Sequence, residues 1–403
     1  MAAQNNPHIA ALDGIRGLAI LQVLIWHYSH WWQPKLGSFP SYILRSLSLT
    51  WSGVDLFFVL SGFLIGGILL DNRASSNYFG VFYIRRFCRI VPIYILLLLL
   101  GWFLKGLGVI DQQRNGELIS PFWYLTFTQN FWMAFHSSWD FWLGQTWSLA
   151  VEEQFYLLLP LTIWLVSPRK LPIGLIMAIV AALLLRSIAW LTISPTRAWI
   201  INHVSLATRM DALALGVLSA YAVRDKIINK WLREHLWLLY VCFAGLIGVT
   251  GIIIVRGWGL GTPFMVTVGF TFLATLYACL LLIAVLEQRG PVKSVLNASP
   301  LRHLGIWAYC LYLIHALIPY YVFRIFGRDT RLGGIFDLAL FAVALAIVLV
   351  TAHLSWRYFE KPLLTFGHKW KYILEVPSRH RFEPQPIMAS EPGFLGGSGS
   401  RKS

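Results

Sequence analysis

Ten apolar stretches, each long enough to cross a bilayer and each bounded by charged residues, occupy the chain near 11–32, 50–71, 83–104, 146–166, 171–191, 205–222, 236–255, 263–286, 302–325 and 334–357. A helix rises about 1.5 Å per residue, so about 20 apolar residues cross a hydrocarbon core of about 30 Å. No water serves the backbone there, and helices satisfy their own N–H and C=O groups. An all-α, polytopic membrane protein of about ten transmembrane helices is therefore expected. Composition agrees, because 57% of the 403 residues are hydrophobic and only 13% are charged, where a soluble domain carries about a quarter. The stretch 121–135 is apolar but short and contains Thr126, Thr128, Gln129 and Asn130. It reads as an interfacial or re-entrant piece.

The chain has 33 Lys and Arg against 18 Asp and Glu, a net charge of +15. With ten spans, 21 of the basic residues fall on the side of the termini and 10 on the other, with Arg16 and Arg186 inside helices. By the positive-inside rule both termini are expected to be cytoplasmic. The basic balance is then mostly a topology signal, and no nucleic-acid partner is expected. Residues 1–364 form the membrane domain in this reading, and 365–403 a cytoplasmic disordered tail ending Gly396-Gly397-Ser398-Gly399-Ser400. Asp13 and Arg16 stand where a signal peptide would be apolar, so the first helix is expected to be retained. Cys88, Cys242, Cys279 and Cys310 have no paired spacing and read as packing residues. No metal-ligating set is expected.

Ionisable side chains are costly in hydrocarbon, which makes each one inside a span a functional hypothesis. Arg16 and His27 are eleven residues apart on the first span, on one stripe and about 16 Å apart along the axis. Asp55, Glu152 and Glu153, and His315 reach similar depths in the outer half of their spans, whereas Arg85, Arg86 and Arg89 sit at the inner start of the third. This suggests an anion held at the inner face and acid–base chemistry further out, with the Asp55 carboxylate orienting His27 as the acid of a triad orients its base. Bland alternatives stay open at this point. Buried histidines pack, inner arginines mark topology, and Arg209 and Asp211 pair with neighbours. Trp31, Trp32, Trp51, Trp123, Trp132, Trp139, Trp142, Trp147 and Trp199 form either an interfacial belt or a stacking surface for a polar ring.

Several motifs fall in a fixed order: Leu12-Asp13-Gly14-Ile15-Arg16-Gly17 followed by His27; Gly53-Val54-Asp55-Leu56-Phe57-Phe58-Val59-Leu60-Ser61-Gly62-Phe63; Arg86-Phe87-Cys88-Arg89; Trp147-Ser148-Leu149-Ala150-Val151-Glu152-Glu153-Gln154-Phe155-Tyr156; Arg209-Met210-Asp211-Ala212-Leu213; Tyr309-Cys310-Leu311-Tyr312-Leu313-Ile314-His315; and Phe359-Glu360-Lys361-Pro362. Together they make the chain resemble the acyltransferase-3 family of integral membrane O-acyltransferases, from about Leu12 to Leu364. Ala308 departs from the serine found there in many relatives. The fused extracytoplasmic esterase-like domain of longer relatives has no room here, so a stand-alone enzyme is expected.

The resemblance implies transfer of an acyl group, most commonly acetyl, from cytoplasmic acyl-CoA to a hydroxyl of an extracytoplasmic acceptor, commonly a glycan, at the bacterial inner membrane. It implies acyl-CoA as a co-substrate with no permanent cofactor, and membrane lipid as surroundings. Arg16, Arg86 and Arg89 would hold the CoA phosphates. His27, Asp55, Glu152 and His315 would carry the chemistry, and Glu153, Arg209, Asp211, Tyr309, Tyr312 and Trp147 would line the acceptor site. A proton-coupled transporter or flippase is the competing class, because buried His and carboxylates also build proton relays, although no internal repeat is seen.

Overall fold

A computed structural model describes residues 10–32, 38–106, 119–138 and 143–374. The expected tail beyond 374, together with Trp139 and Trp142, lies outside the described residues. Among those described, the chain is helical throughout, with one isolated bridge between Ser75 and Leu374. The helices are α1 (Ala10–Ser29), α2 (Phe39–Ser46), α3 (Gly53–Asp71), α4 (Tyr78–Gly106), α5 (Pro121–Leu125), α6 (Gln129–His136), α7 (Trp147–Leu165), α8 (Leu171–Thr192) and α9 (Pro195–Val204). They continue as α10 (Leu206–Arg224), α11 (Lys226–Glu234), α12 (Leu236–Arg256), α13 (Phe270–Leu286), α14 (Pro291–Leu296), α15 (Ser299–Ile314), α16 (Leu317–Ile325), α17 (Ile335–Ser355) and α18 (Lys361–Gly367).

Eight helices among the described residues are long and apolar enough to cross a membrane, or nine when the bent pair α15–α16 is taken as one span. The remaining expected span, 146–166, does fold as α7, but its Glu152-Glu153-Gln154 run lowers its hydropathy and keeps it off that count. The apolar stretch 121–135 breaks into the short helices α5 and α6. Its Gln129 and Asn130 are fully buried because they tie the piece to the body. Gln129 Nε2 donates to the Thr146 carbonyl at 2.9 Å and Asn130 Nδ2 to the Val204 carbonyl at 3.0 Å. The division expected at 364 falls inside α18, and the chain after it is held to the α3–α4 turn. Asn77 Nδ2 donates to the Lys371 carbonyl, and the Ile373 N–H donates to Asn77 Oδ1.

Burial in lipid offers no hydrophobic drive between helices, so close packing depends on small residues that let backbones touch. A Cβ on Gly17 of α1 would lie 1.8 Å from the Leu301 carbonyl oxygen of α15, and one on Gly305 would lie 1.8 Å from that of Asp13. This contact has a consequence ten residues on. His27 follows Gly17 by ten positions and His315 follows Gly305 by ten, so two parallel helices locked at the glycines bring the histidines level. Replacing Gly305 with alanine should therefore separate α1 from α15. It is expected to cost about 1–3 kcal/mol by overpacking, read as a lower melting temperature in detergent, together with a loss of turnover from the displaced histidine pair.

His315 lies at the break between α15 and α16, where the axis bends by 57°. A break at membrane depth frees backbone carbonyls, which must find donors. Here the donors are side chains. His315 Nδ1–H donates to the Tyr312 carbonyl at 2.8 Å, Gln145 Nε2 to that of Leu313 at 3.3 Å, and the Tyr28 hydroxyl to that of His315 at 3.0 Å.

Candidate active site

His27 and His315 meet edge to face, with ring centroids 4.5 Å apart. His27 Nδ1 lies 2.8 Å from the carbonyl oxygen of Val23. A carbonyl only accepts, so Nδ1 carries the proton and Nε2 keeps its lone pair. The same reasoning puts the proton of His315 on Nδ1, and its buried Nε2 has no hydrogen-bond partner among the described residues. His27 lines a cavity of about 320 Å³, whereas His315 stands behind it, fully buried. The other walls are mostly aromatic: Trp26, Trp31, Trp51, Trp147, Trp199, Tyr312 and Tyr320, with Gln145 and His203 among them. Four of the tryptophans singled out in the sequence thus form one surface, and Trp132 instead stacks on His136.

At the other end of α1, Arg16 Nη1 donates to Asp13 at 2.7 Å and lies within electrostatic reach of Arg86 and Arg89 of α4. Arg85 is turned elsewhere: it donates to the Trp370 carbonyl and lies over the Tyr372 ring. Glu152 of α7 stands beside Ser61 and Tyr156, whose hydroxyls share a hydrogen bond, with Arg86 and Arg89 nearby. Glu153 Oε1 is buried without a hydrogen-bond partner. Tyr309 donates to the Ile90 carbonyl at 2.8 Å and so anchors α15 to α4. Between the two ends, the Tyr312 hydroxyl donates to the Gln145 carbonyl at 2.7 Å and accepts from Ser148 at 2.5 Å. Polar groups therefore run from the arginines past Glu152, Ser61 and Tyr156 to Tyr312 and the histidines.

Asp55 is paired with Arg209 and not with His27, whose Nδ1 is held by Val23. Its Oδ1 accepts from Arg209 Nη2 at 2.7 Å, and both side chains are 1% exposed. Asp211 is likewise taken by Arg186, at 3.0 Å, and by the Thr271 hydroxyl, at 2.5 Å. Arg186 also bonds the carbonyls of Thr208 and Thr267, the latter in the π-helical turn Met265–Gly269 that precedes α13. A buried charge is tolerated when an opposite charge and hydrogen bonds surround it. Arg186 and Asp211 meet that condition, whereas in the Asp55–Arg209 pair Asp55 Oδ2 and Arg209 Nε and Nη1 are buried without a hydrogen-bond partner among the described residues. The two pairs back the cavity wall: the Arg209 guanidinium lies 4.0 Å from the Phe270 ring and 5.8 Å from that of Trp147, and Trp147 in turn packs on His203 at 4.5 Å. Sequence reasoning placed no role on Arg186, His203, Gln145, Ser61, Ser148 or Tyr156. Of these Arg186 carried a signal as a lone charge within a span, and Ser61, Ser148 and Tyr156 lie inside the quoted motifs without having been given a role.

A family model described as an acyltransferase domain matches residues 9–356. The chain belongs to the acyltransferase-3 family. It is similar to the peptidoglycan O-acetyltransferase OatA of Listeria monocytogenes, at 26% identity over 90% of this chain and 57% of that protein. It is also similar to the O-acetyltransferase OatA of Staphylococcus aureus, at 25% identity over 90% of this chain and 58% of that one, and to the putative peptidoglycan O-acetyltransferase YrhL of Bacillus subtilis, at 26% over 91% and 56%. This acyltransferase-3 chain spans less than three-fifths of the length of those curated relatives. No solved structure matches it. Within the acyltransferase-3 fold described above, the family motifs separate into three places: the arginine and glutamate end, the histidine cavity, and the ion-pair network behind its wall.

Proposed function

We propose that this protein is a membrane O-acyltransferase that takes an acetyl group from cytoplasmic acetyl-CoA and places it on a hydroxyl of an envelope carbohydrate, of the kind named for the relatives. One observation carries the reading: Arg16 at one end of α1 joins Arg86 and Arg89 of α4 in a cationic cluster, and a histidine with a free Nε2 lone pair stands at the edge of an aromatic cavity at the other end of α1, with polar side chains between. The arginines Arg16, Arg86 and Arg89 suit the phosphates of CoA, because guanidinium groups bind phosphate oxygens in pairs. The thioester arm would extend from them toward His27. The aromatic walls suit a sugar ring, whose C–H faces stack on indoles.

In the transfer step His27 Nε2 takes the proton of the acceptor hydroxyl as that oxygen bonds to the thioester carbon. The C–S bond breaks, and the departing thiolate of CoA takes the proton back from the imidazolium. His315 and Tyr312 hold the ring environment of His27, and Glu152 stands where the donor arm would pass. The transporter reading loses ground at the helix break, because the carbonyls of Tyr312, Leu313 and His315 there are taken by His315, Gln145 and Tyr28.

The test is purified protein in detergent with acetyl-CoA and peptidoglycan fragments, followed by release of free CoA and by mass spectrometry of the glycan. An acetyl unit on the glycan supports the proposal, and loss of a solute gradient from liposomes without thioester consumption defeats it. The double substitution Arg86→Gln and Arg89→Gln should weaken CoA binding about tenfold or more, given about 1.5–3 kcal/mol for a hydrogen bond to a charged group. Unchanged affinity by calorimetry would leave these arginines as topology charges alone.

A further inference from the structure

The chain from Ser355 to Trp370 carries a pattern that the transfer reaction does not use. The 21 residues of α17 rise about 32 Å, enough to cross the hydrocarbon core, so the π-helical turn Trp356–Glu360 and α18 emerge at the membrane boundary. Arg357 in the π-helical turn, Lys361 and Thr365 on α18, and Lys369 just past its end line one groove, and all four are exposed. Each is followed in the chain by an exposed amphipathic or apolar residue, Tyr358, Pro362, Phe366 and Trp370. The groove holds about 400 Å³ and is lined by Arg357, Lys361, Thr365, Phe366 and Lys369 with Pro362.

Among the described residues none of these three cations has an acidic partner. Arg357 and Lys369 lie over the rings of Tyr358 and Phe366 at 5.4 and 5.7 Å. The carboxylate nearest in the chain, Glu360, is buried and turned to the Ser355 hydroxyl at 3.0 Å. A topology signal requires only positive charge, whereas here three cations converge on a groove with a row of amphipathic and apolar side chains beside it. That pairing matches a phosphate at headgroup depth with acyl chains alongside.

We propose that this groove at the α17–α18 corner is a binding site for the headgroup of an anionic phospholipid, with Arg357, Lys361 and Lys369 on the phosphate and Tyr358, Phe366 and Trp370 against the upper acyl chains. Through Gly367, where a Cβ would lie 3.0 Å from Cys88 Cβ, the site rests directly on α4 beside the arginine cluster. The inference stands independently of the proposed reaction.

The test uses the full chain in detergent, stripped of lipid, and follows its melting temperature as phosphatidylglycerol, phosphatidylcholine or inorganic phosphate is added. Phosphatidylglycerol should raise the melting temperature, with the other two additives giving little change. The Arg357→Gln, Lys361→Gln, Lys369→Gln triple variant should need at least about tenfold more phosphatidylglycerol for the same rise. Thr365→Glu, which sets a negative charge in the cationic groove, should abolish the response on its own. Variants that respond like the parent would overturn the site. An equal rise with inorganic phosphate would overturn the lipid as its occupant.

Discussion

Replacing His27 with alanine is expected to lower acetyl transfer about 10²–10⁴-fold, the range for removal of a positioned general base, while leaving the affinity for acetyl-CoA within about twofold of the parent. The geometry makes this a clean experiment. The hydrogen bond of His27 Nδ1 goes to Val23 of its own helix, so alanine removes no hydrogen bond between helices, only the ring contact with His315, and the arginine cluster lies about 16 Å away along α1. Turnover is measured by CoA release, donor affinity by calorimetry and integrity by the melting temperature. Turnover within tenfold of the parent, with folding intact, would remove His27 from the chemistry.

The second large effect concerns Asp55. Truncating it to alanine leaves Arg209 charged and buried without its partner, which is expected to destabilise the protein by about 3–5 kcal/mol. Replacing both residues, Asp55→Leu with Arg209→Met, should recover most of that loss, because a matched apolar pair carries no uncompensated charge. Turnover should return with stability. Had Asp55 acted by orienting His27, the double variant would be as inactive as the single one. Melting curves and CoA release on the three proteins decide the matter, and a stable but inactive double variant would restore the catalytic role read from the sequence.

The misplacement of Asp55 has a physical origin. Depth along a span can be read from residue counts, since the rise per residue is constant, and Val54, next to Asp55, does line the same cavity as His27. Rotation about the axis, and the identity of the neighbouring helix, cannot be read that way. Asp55 and His27 share a depth, but Asp55 turns to Arg209 on α10, 154 residues away. The histidine pair was the opposite case, where equal depth and facing sides coincided, because the glycines on α1 and α15 bring those helices into backbone contact. Gln145 carried no signal because its work is to satisfy the Leu313 carbonyl of α15, and the helix break that creates the need is itself a tertiary feature.

By itself the sequence determined that the chain is a helical membrane protein, which residue types enter the bilayer and at what depth, and the family to which those motifs belong. These follow from hydropathy, charge and helical rise, all of which are local. Only the tertiary structure decided which buried charges neutralise one another and which remain to face the cavity. A buried ion gains its energy from a partner in contact, and contact between residues far apart in the chain is set by how the helices pack.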